Sequence, residues 1–390
     1  MLELVSQGPI FLVSLIFLLG VVVIIHELGH YFAGRMYGAA VESFSIGFGR
    51  SIFERTDKHG TRWRINWIPL GGFVKFVGES QLPGDVGKLE SGPVGKPYSQ
   101  LGVGQRSVVS IAGPLANFIL AIALFTVFFG LRGVQEYDLY AARVVDGSPA
   151  AVAGMQEGDV LLEVDGHRIR QDADLLMRTT VSSGIELDFL VERDGQQMLL
   201  KVTPERQLRP NSLGQVVPQG TIGVTPWPVQ GSIVWRRFGL VSAVREGVLE
   251  TGRTMERTAF MLKRIVTGQE PVSTLSGPVA IGDAGRRIVN QTLGAEGVST
   301  GTKLMWLMWT AVQVCALVSI GIGFFNLLPL PILDGGHLVF NAYEAVTGKV
   351  MPEKVQEMAL MAGLCLLLTM FVFITWGDIL ETGLFNRSAG

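Results

Sequence analysis

Four long apolar runs divide the chain, at residues 9–34, 107–131, 303–328 and 357–376. Each reaches or approaches the ~20 residues that a helix needs to cross the hydrocarbon of a bilayer, so the pattern predicts four membrane-spanning helices. The first run resembles a signal peptide in length, but Met1-Leu2-Glu3 offers no positive flank and no small-residue cleavage site follows. We read it as a retained span.

Between the runs the periodicity changes. Residues 41–78 carry aromatic and β-branched residues in short stretches (VESFSIGF, TRWRINWI, FVKFVGE) separated by glycines and the turn PLGG, which predicts strands beside the membrane. Residues 79–104 are rich in Gly, Pro and Ser without apolar period and read as a flexible loop. From 138 to 226 the strand-like stretches AARVV, DVLLEVDG, ELDFLVERDG and QMLLKVTPE, with a short helix at ADLLMRTTV, describe a small polar β-rich domain. Over 232–266 Val234, Phe238, Val241, Val244, Val248, Met255, Ala259 and Leu262 recur at helical steps. They predict an amphipathic helix, lying on the bilayer or packed on the polar domain. There is no internal repeat.

Composition agrees with a membrane protein: 48% of the 390 residues are hydrophobic and 17% charged, and mean hydropathy is +0.38. A formal net charge of -2 gives no basic face for nucleic acid. Cys315 and Cys365 both sit in apolar runs, so we expect packing residues rather than a disulfide. The loop after the first run holds Arg50, Arg55, Lys58, Arg62, Arg64, Lys75, Lys88, Lys96 and Arg106. That bias places the loop in the cytoplasm and the 132–302 segment on the far side.

The first run ends in His26-Glu27-Leu28-Gly29-His30. On a helix, histidines at i and i+4 face the same way and can share one metal ion, while Glu27 between them can accept a proton from an activated water. Ionisable groups in an apolar span are costly and need a compensating role, and two of only five histidines lie here. A hydrolytic metal site wants a third protein ligand and one open position. It is sought where Pro329 and Pro331 break the third run, in Asn326-Leu-Leu-Pro329-Leu-Pro331-Ile-Leu-Asp334-Gly-Gly-His337. Asp334 and His337 are the rivals. Taken alone, Asp334 also reads as a turn or helix-capping aspartate before Gly335-Gly336.

At these residues the chain resembles the site-2 protease family, specifically bacterial RseP-type proteases. The resemblance is carried by HELGH, by Asn326, Pro329, Pro331 and Leu333-Asp334-Gly335, and by Gly113-Pro114-Leu-Ala-Asn117. It covers nearly the whole chain. It implies zinc held by His26, His30 and Asp334, Glu27 as the catalytic base, and a substrate site that includes Asn326, Pro329 and Pro331. It further implies that 41–78 is a membrane-associated hairpin along which substrate adds as a strand. The 138–226 segment, with SPAAVAGMQEGDVLLEVDG, is similar to the PDZ domains of that family, which come in pairs in better-known members, whereas one fits here.

The expected fold is thus an α-helical polytopic membrane protein with four transmembrane helices, a membrane-associated β-hairpin and an inserted PDZ-like domain. Its divisions are 1–131, 138–226, 232–300 (amphipathic helix and linker) and 301–390. The resemblance implies single-pass membrane proteins as substrates, such as a trimmed anti-sigma factor or a remnant signal peptide, and a peptide ligand for the PDZ-like domain. It implies the inner membrane of a Gram-negative bacterium, with that domain in the periplasm. Two rival classes are a membrane-anchored PDZ adaptor with a structural metal site, which would work without Glu27, and a metal-ion transporter, against which Glu27 and the polar domain both speak.

Overall fold

The computed structural model describes residues 2–78, 93–210, 216–269 and 278–381. In chain order it forms helix α1 (Leu2–Met36), strands β1 (Val41–Thr56) and β2 (Arg62–Phe76), and helix α2 (Val103–Val127), which runs on through a π-helical turn to Arg132. Strands β3 (Val134–Glu136) and β4 (Leu139–Val144), helix α3 (Pro149–Val152), strands β5 (Val160–Val164) and β6 (His167–Arg168) and helix α4 (Asp172–Val181) follow. Then come β7 (Leu187–Arg193), β8 (Gln196–Val202), β9 (Glu205–Pro210), β10 (Val216–Thr221), β11 (Val224–Pro228) and β12 (Val234–Arg236). Helices α5 (Leu240–Val266), α6 (Pro278–Gly294), α7 (Thr300–Asn326), α8 (Asp334–Thr347) and α9 (Glu353–Glu381) complete it.

Among the described residues three helices are long and apolar enough to cross a membrane: Val103–Arg132, Thr300–Asn326 and Glu353–Gly377. The first expected span, 9–34, falls on α1, where the side chains of residues 2–17 lie outside the described set.

The chain divides into two compact units, one built from Met1–Phe128, Ser242–Thr258 and Gly285–Phe373, the other from Phe129–Val241, Ala259–Ala284 and Ile374–Gly390. In the first, helices approach closely because glycines stand at the crossings, as apolar helices without a hydrophobic drive between them require. A Cβ on Gly29 of α1 would meet the Ala112 carbonyl of α2 at 2.2 Å, and one on Gly323 of α7 would meet the Pro114 carbonyl at 3.0 Å. Ser319 Oγ of α7 donates to the Asn117 carbonyl of α2 (2.8 Å), and Arg106 at the start of α2 pairs with Glu344 of α8 (2.6 Å).

The two strands of this unit do the work of four. The 41–46 half of β1 pairs with 72–76 on one side (Val41↔Phe76, Ser45↔Phe73) and with 62–65 on the other (Ser43↔Arg62, Ile46↔Ile65). The far end of β1 folds back on the same 62–65 stretch (Phe53↔Ile65, Thr56↔Arg62). The spatial order is therefore 53–56, 62–65, 43–46, 72–76. The PLGG stretch expected as a turn lies inside β2, where that strand changes sides of β1 through Gly71 (φ +97°). Phe44 stacks on Trp63 (4.6 Å), with Tyr31 of α1 edge-on to both, which anchors the sheet on the helix.

Several expectations need correction. Part of the loop expected to be flexible is held in place. Ala40 N donates to the Lys96 carbonyl, Lys96 N to Gly38 and Val94 N to His59, each at 2.8–2.9 Å, while 79–92 lie outside the described residues. The 232–300 stretch holds the expected helix as α5 from Leu240 to Val266, but Val234 lies in β12 and α6 occupies part of the expected linker. The apolar stripe of α5 is not its packed face. Val241 is 84% exposed, whereas Ala243 and Thr251 are buried and Gly247 sits against the Ile122 carbonyl of α2. Small residues permit that approach and larger ones would prevent it. Cys315 is partly buried and Cys365 exposed, both as free thiols, so Cys365 does not pack within the chain.

The second unit is β-rich. Its main sheet runs β11-β4-β5-β7-β8, with β6 beside β5. Its core gathers Leu139, Leu161, Val164, Ile169, Phe189 and Val191; along β4 and β7 buried residues alternate with partly buried ones, as a half-buried sheet demands. Asp159, fully buried, accepts two hydrogen bonds of 2.6 Å from Arg193.

Candidate metal centre

The histidine pair projects from the C-terminal half of α1, and the third group arrives from the start of α8. Two prolines end α7 at Asn326, and the chain turns through hydrogen bonds Leu330 N to Leu328 O (2.7 Å) and Leu333 N to Leu330 O (2.9 Å). Asp334 then opens α8, a helix not foreseen in the sequence. The turn is tight enough to exclude side chains: a Cβ on Gly335 would lie 2.1 Å from the Leu328 carbonyl, and one on Gly336 would lie 2.4 Å from that of Leu330.

His26 Nε2 and His30 Nε2 lie 3.1 Å apart. Asp334 Oδ2 is 3.1 Å from the first and Oδ1 is 3.3 Å from the second. Ligand bonds of about 2.0–2.1 Å at tetrahedral angles set neighbouring donor atoms about 3.3 Å apart, so this triangle fits one face of a zinc tetrahedron. His30 Nδ1 lies 2.8 Å from the Val109 carbonyl. A carbonyl only accepts, so the proton is on Nδ1 and the Nε2 lone pair faces the triangle. The approach of α2 needs Gly113, where a Cβ would stand 2.2 Å from His30 Nε2.

Among the described residues, His26, His30 and Asp334 are the histidine, cysteine or carboxylate groups that gather closely enough to share an ion. His337, the rival, lines the same cavity but its ring packs toward Phe340 (6.3 Å between centroids). The cavity, about 520 Å³, is lined by His26, Glu27, His30, Asp334 and Asn326 and by one flank of the sheet, residues 71–74 and Phe76. Pro329 and Pro331 do not line it; their place is the turn behind it. Glu27 faces the sheet, and the Val74 N–H donates to its Oε2 at 2.9 Å. Val74 belongs to the edge segment 72–76, and among the described residues no strand pairs with the outer side of that segment.

The sequence reading quoted Gly113 only within a motif and gave it no role at the site, and it missed the Val109 carbonyl and the Val74 N–H. All three act through contacts distant along the chain, and two are backbone groups that carry no residue signature.

A closely set His-His-Asp cluster beside a glutamate, among apolar helices, defines a metal-dependent hydrolase of the membrane. Comparison with known proteins agrees: residues 14–370 match the model for Peptidase family M50. The chain is 36% identical over 395 residues to Metalloprotease MmpA of Caulobacter vibrioides, covering 98% of each. Two proteins named "putative zinc metalloprotease" are similar as well. That of Brucella suis biovar 1 is 39% identical over 373 residues, 94% of each chain. That of Mesorhizobium japonicum is 38% identical over 380 residues, 94% of this chain and 98% of its own.

The chain belongs to peptidase family M50, the site-2 proteases. It is a zinc metalloprotease and a membrane protein.

Proposed function

We propose that this protease cuts single-pass membrane proteins inside the bilayer, with His26, His30 and Asp334 holding zinc and Glu27 serving as the base. The observation that carries the reading is the convergence of two imidazole nitrogens and one carboxylate within 3.3 Å, beside an open sheet edge. Zinc supplies Lewis-acid chemistry and an activated water. Glu27, as the base, would take up a proton from the attacking water and return it to the leaving amine. Asn326 offers its amide to the substrate backbone, and Pro329 and Pro331 shape the turn that presents it.

A helical substrate hides its peptide groups in its own hydrogen bonds and must be unwound before hydrolysis. The outer side of 72–76 can hold the opened segment as an added strand. In this reading α1 is the fourth span, the first loop is cytoplasmic, and the β-rich unit around 138–226 is a single PDZ-like module on the periplasmic side of a Gram-negative inner membrane. The module takes a peptide or screens which substrates reach the spans. Substrates are proteins already trimmed outside, such as an anti-sigma factor, or remnant signal peptides.

The test is cleavage of a trimmed single-pass substrate in proteoliposomes by wild type and Glu27→Gln. The variant should keep stoichiometric zinc and lose roughly 10²–10⁴-fold in rate. Cleavage near the wild-type rate would sink Glu27 as the base.

A further inference from the structure

The Gly113-Pro114-Leu-Ala-Asn117 motif of α2 places one polar side chain in the helix interface, and the proposed mechanism gives it no task. Asn117 is fully buried. A buried amide without partners costs about 1–3 kcal/mol, so its contacts matter. Its side-chain amide lies 3.2 Å from His26 Nδ1, the ring nitrogen that faces away from the ligand triangle. Its backbone carbonyl is fixed by Ser319 Oγ of α7 at 2.8 Å. The asparagine is therefore held by one helix and touches a histidine of another.

The two ends of a side-chain amide have the same shape, and the network decides which end points where. If Nδ2 donates to His26, then Nδ1 is the acceptor and the neutral ring carries its proton on Nε2. That proton would sit between His30 Nε2 and Asp334 Oδ2, where a metal needs a lone pair. In that orientation Oδ1 has no hydrogen-bond partner, so no bond to the oxygen holds it there. If Oδ1 instead faces the ring, it accepts Nδ1–H and turns the Nε2 lone pair into the triangle. His30 is arranged the same way, with the Val109 carbonyl as acceptor.

We infer that Asn117 is a positioning residue for His26: its side-chain oxygen accepts the Nδ1 proton and so fixes the tautomer and ring angle in which Nε2 binds zinc. Each histidine of the pair then has its outer nitrogen held by α2, one by a backbone carbonyl and one by a side chain. This inference rests on the zinc assignment made above.

The test measures zinc affinity by chelator competition on the full-length protein in detergent, for wild type, Asn117→Leu, Asn117→Asp and Asp334→Asn. Leucine keeps the volume and removes the acceptor, and should weaken zinc by roughly 10–100-fold, the usual effect of losing an outer partner. Aspartate can only accept, so it should retain zinc within a few-fold of wild type. The two variants separate orientation from packing, because a merely structural asparagine would not be rescued by a carboxylate. Wild-type affinity in folded Asn117→Leu, or a loss of tenfold or more in folded Asn117→Asp, would overturn the inference. If the leucine variant does not fold, the aspartate result alone decides. Asp334→Asn reports on the site itself: undiminished zinc there would overturn the zinc assignment and this inference together, whereas failure confined to the Asn117 variants leaves the site standing.

Discussion

Replacing Gly113 by alanine is a sharp perturbation of the proposed metal centre, because it adds one methyl group and replaces neither ligand nor base. The new Cβ would stand 2.2 Å from His30 Nε2, 2.6 Å from Cε1 and 2.8 Å from Cδ2, whereas ordinary contact begins near 3.4 Å. Ring or helix must retreat by about 1 Å, several times the ~0.2 Å tolerance of a metal–ligand distance. Overpacking of this kind costs about 1–3 kcal/mol, and up to about 1 kcal/mol returns through the better helix propensity of alanine. The fold should therefore survive with a small loss. Zinc affinity should fall by more than about 100-fold, beyond the effect of losing an outer hydrogen-bond partner, because His30, a ligand in the proposed site, is displaced. The control is Gly321→Ala in α7, where nothing lies within 4 Å of the added Cβ. Metal analysis of both variants, with thermal unfolding followed in parallel, gives the comparison. Stoichiometric zinc and normal cleavage in Gly113→Ala would refute the claim that the α1–α2 approach sets the site.

Three further outcomes follow from other contacts. Asp334→Asn should deplete zinc while His337→Ala retains it; metal analysis showing loss on the His337 change instead would reverse the ligand assignment. In the β-rich unit, burial pushes the Asp159 carboxyl up, but its hydrogen bonds to Arg193 and the Gln156 N–H outweigh burial and hold it below the usual carboxylate range. The folded value lies below the unfolded one, so its stabilisation is present above about pH 4 and is lost as pH falls through the folded value. Asp159→Asn should cost about 3 kcal/mol locally, since it strands a partly buried arginine, and should remove that acid-side dependence. Hydrogen exchange of β5 and β7 amides checks both, and unchanged protection would contradict them. A cysteine replacing Lys58 should react only with cytoplasmic reagent and one replacing Asp194 only with periplasmic reagent; the reverse labelling overturns the orientation.

The HELGH spacing was legible because it is local: a helix of known pitch turns i and i+4 to one side whatever surrounds it. Asp334 was legible only as one of two candidates, because a proline-broken turn leaves the direction of each following side chain open until α8 is seen to start at that residue. Resemblance favoured the aspartate, and the geometry gathers it with both histidines. The packed face of α5 was not legible, because hydrophobic periodicity marks an apolar stripe without saying what covers it. Against α2 the close approach is made at Gly247, with Ala243 buried, while the valines stay exposed. The double pairing of β1 was invisible for a different reason, since strand-like segments reveal alternation but not which of several partners each edge will take.

The donor triangle joins segments far apart in sequence, with His26 and His30 on α1 and Asp334 on α8. During synthesis at about 5–20 residues per second, the interval between residue 30 and residue 334 lasts from about 15 seconds to about one minute. Throughout that time the first helix carries two histidines and a glutamate without the carboxylate that completes the set. By the proposed assignment, the nascent chain lacks its third zinc donor over that interval. The proposed triangle can close only after the turn behind α7 has emerged and Asp334 lies against α1. In the proposed site, the order in which the donors are made therefore delays the complete set until most of the chain has been synthesised.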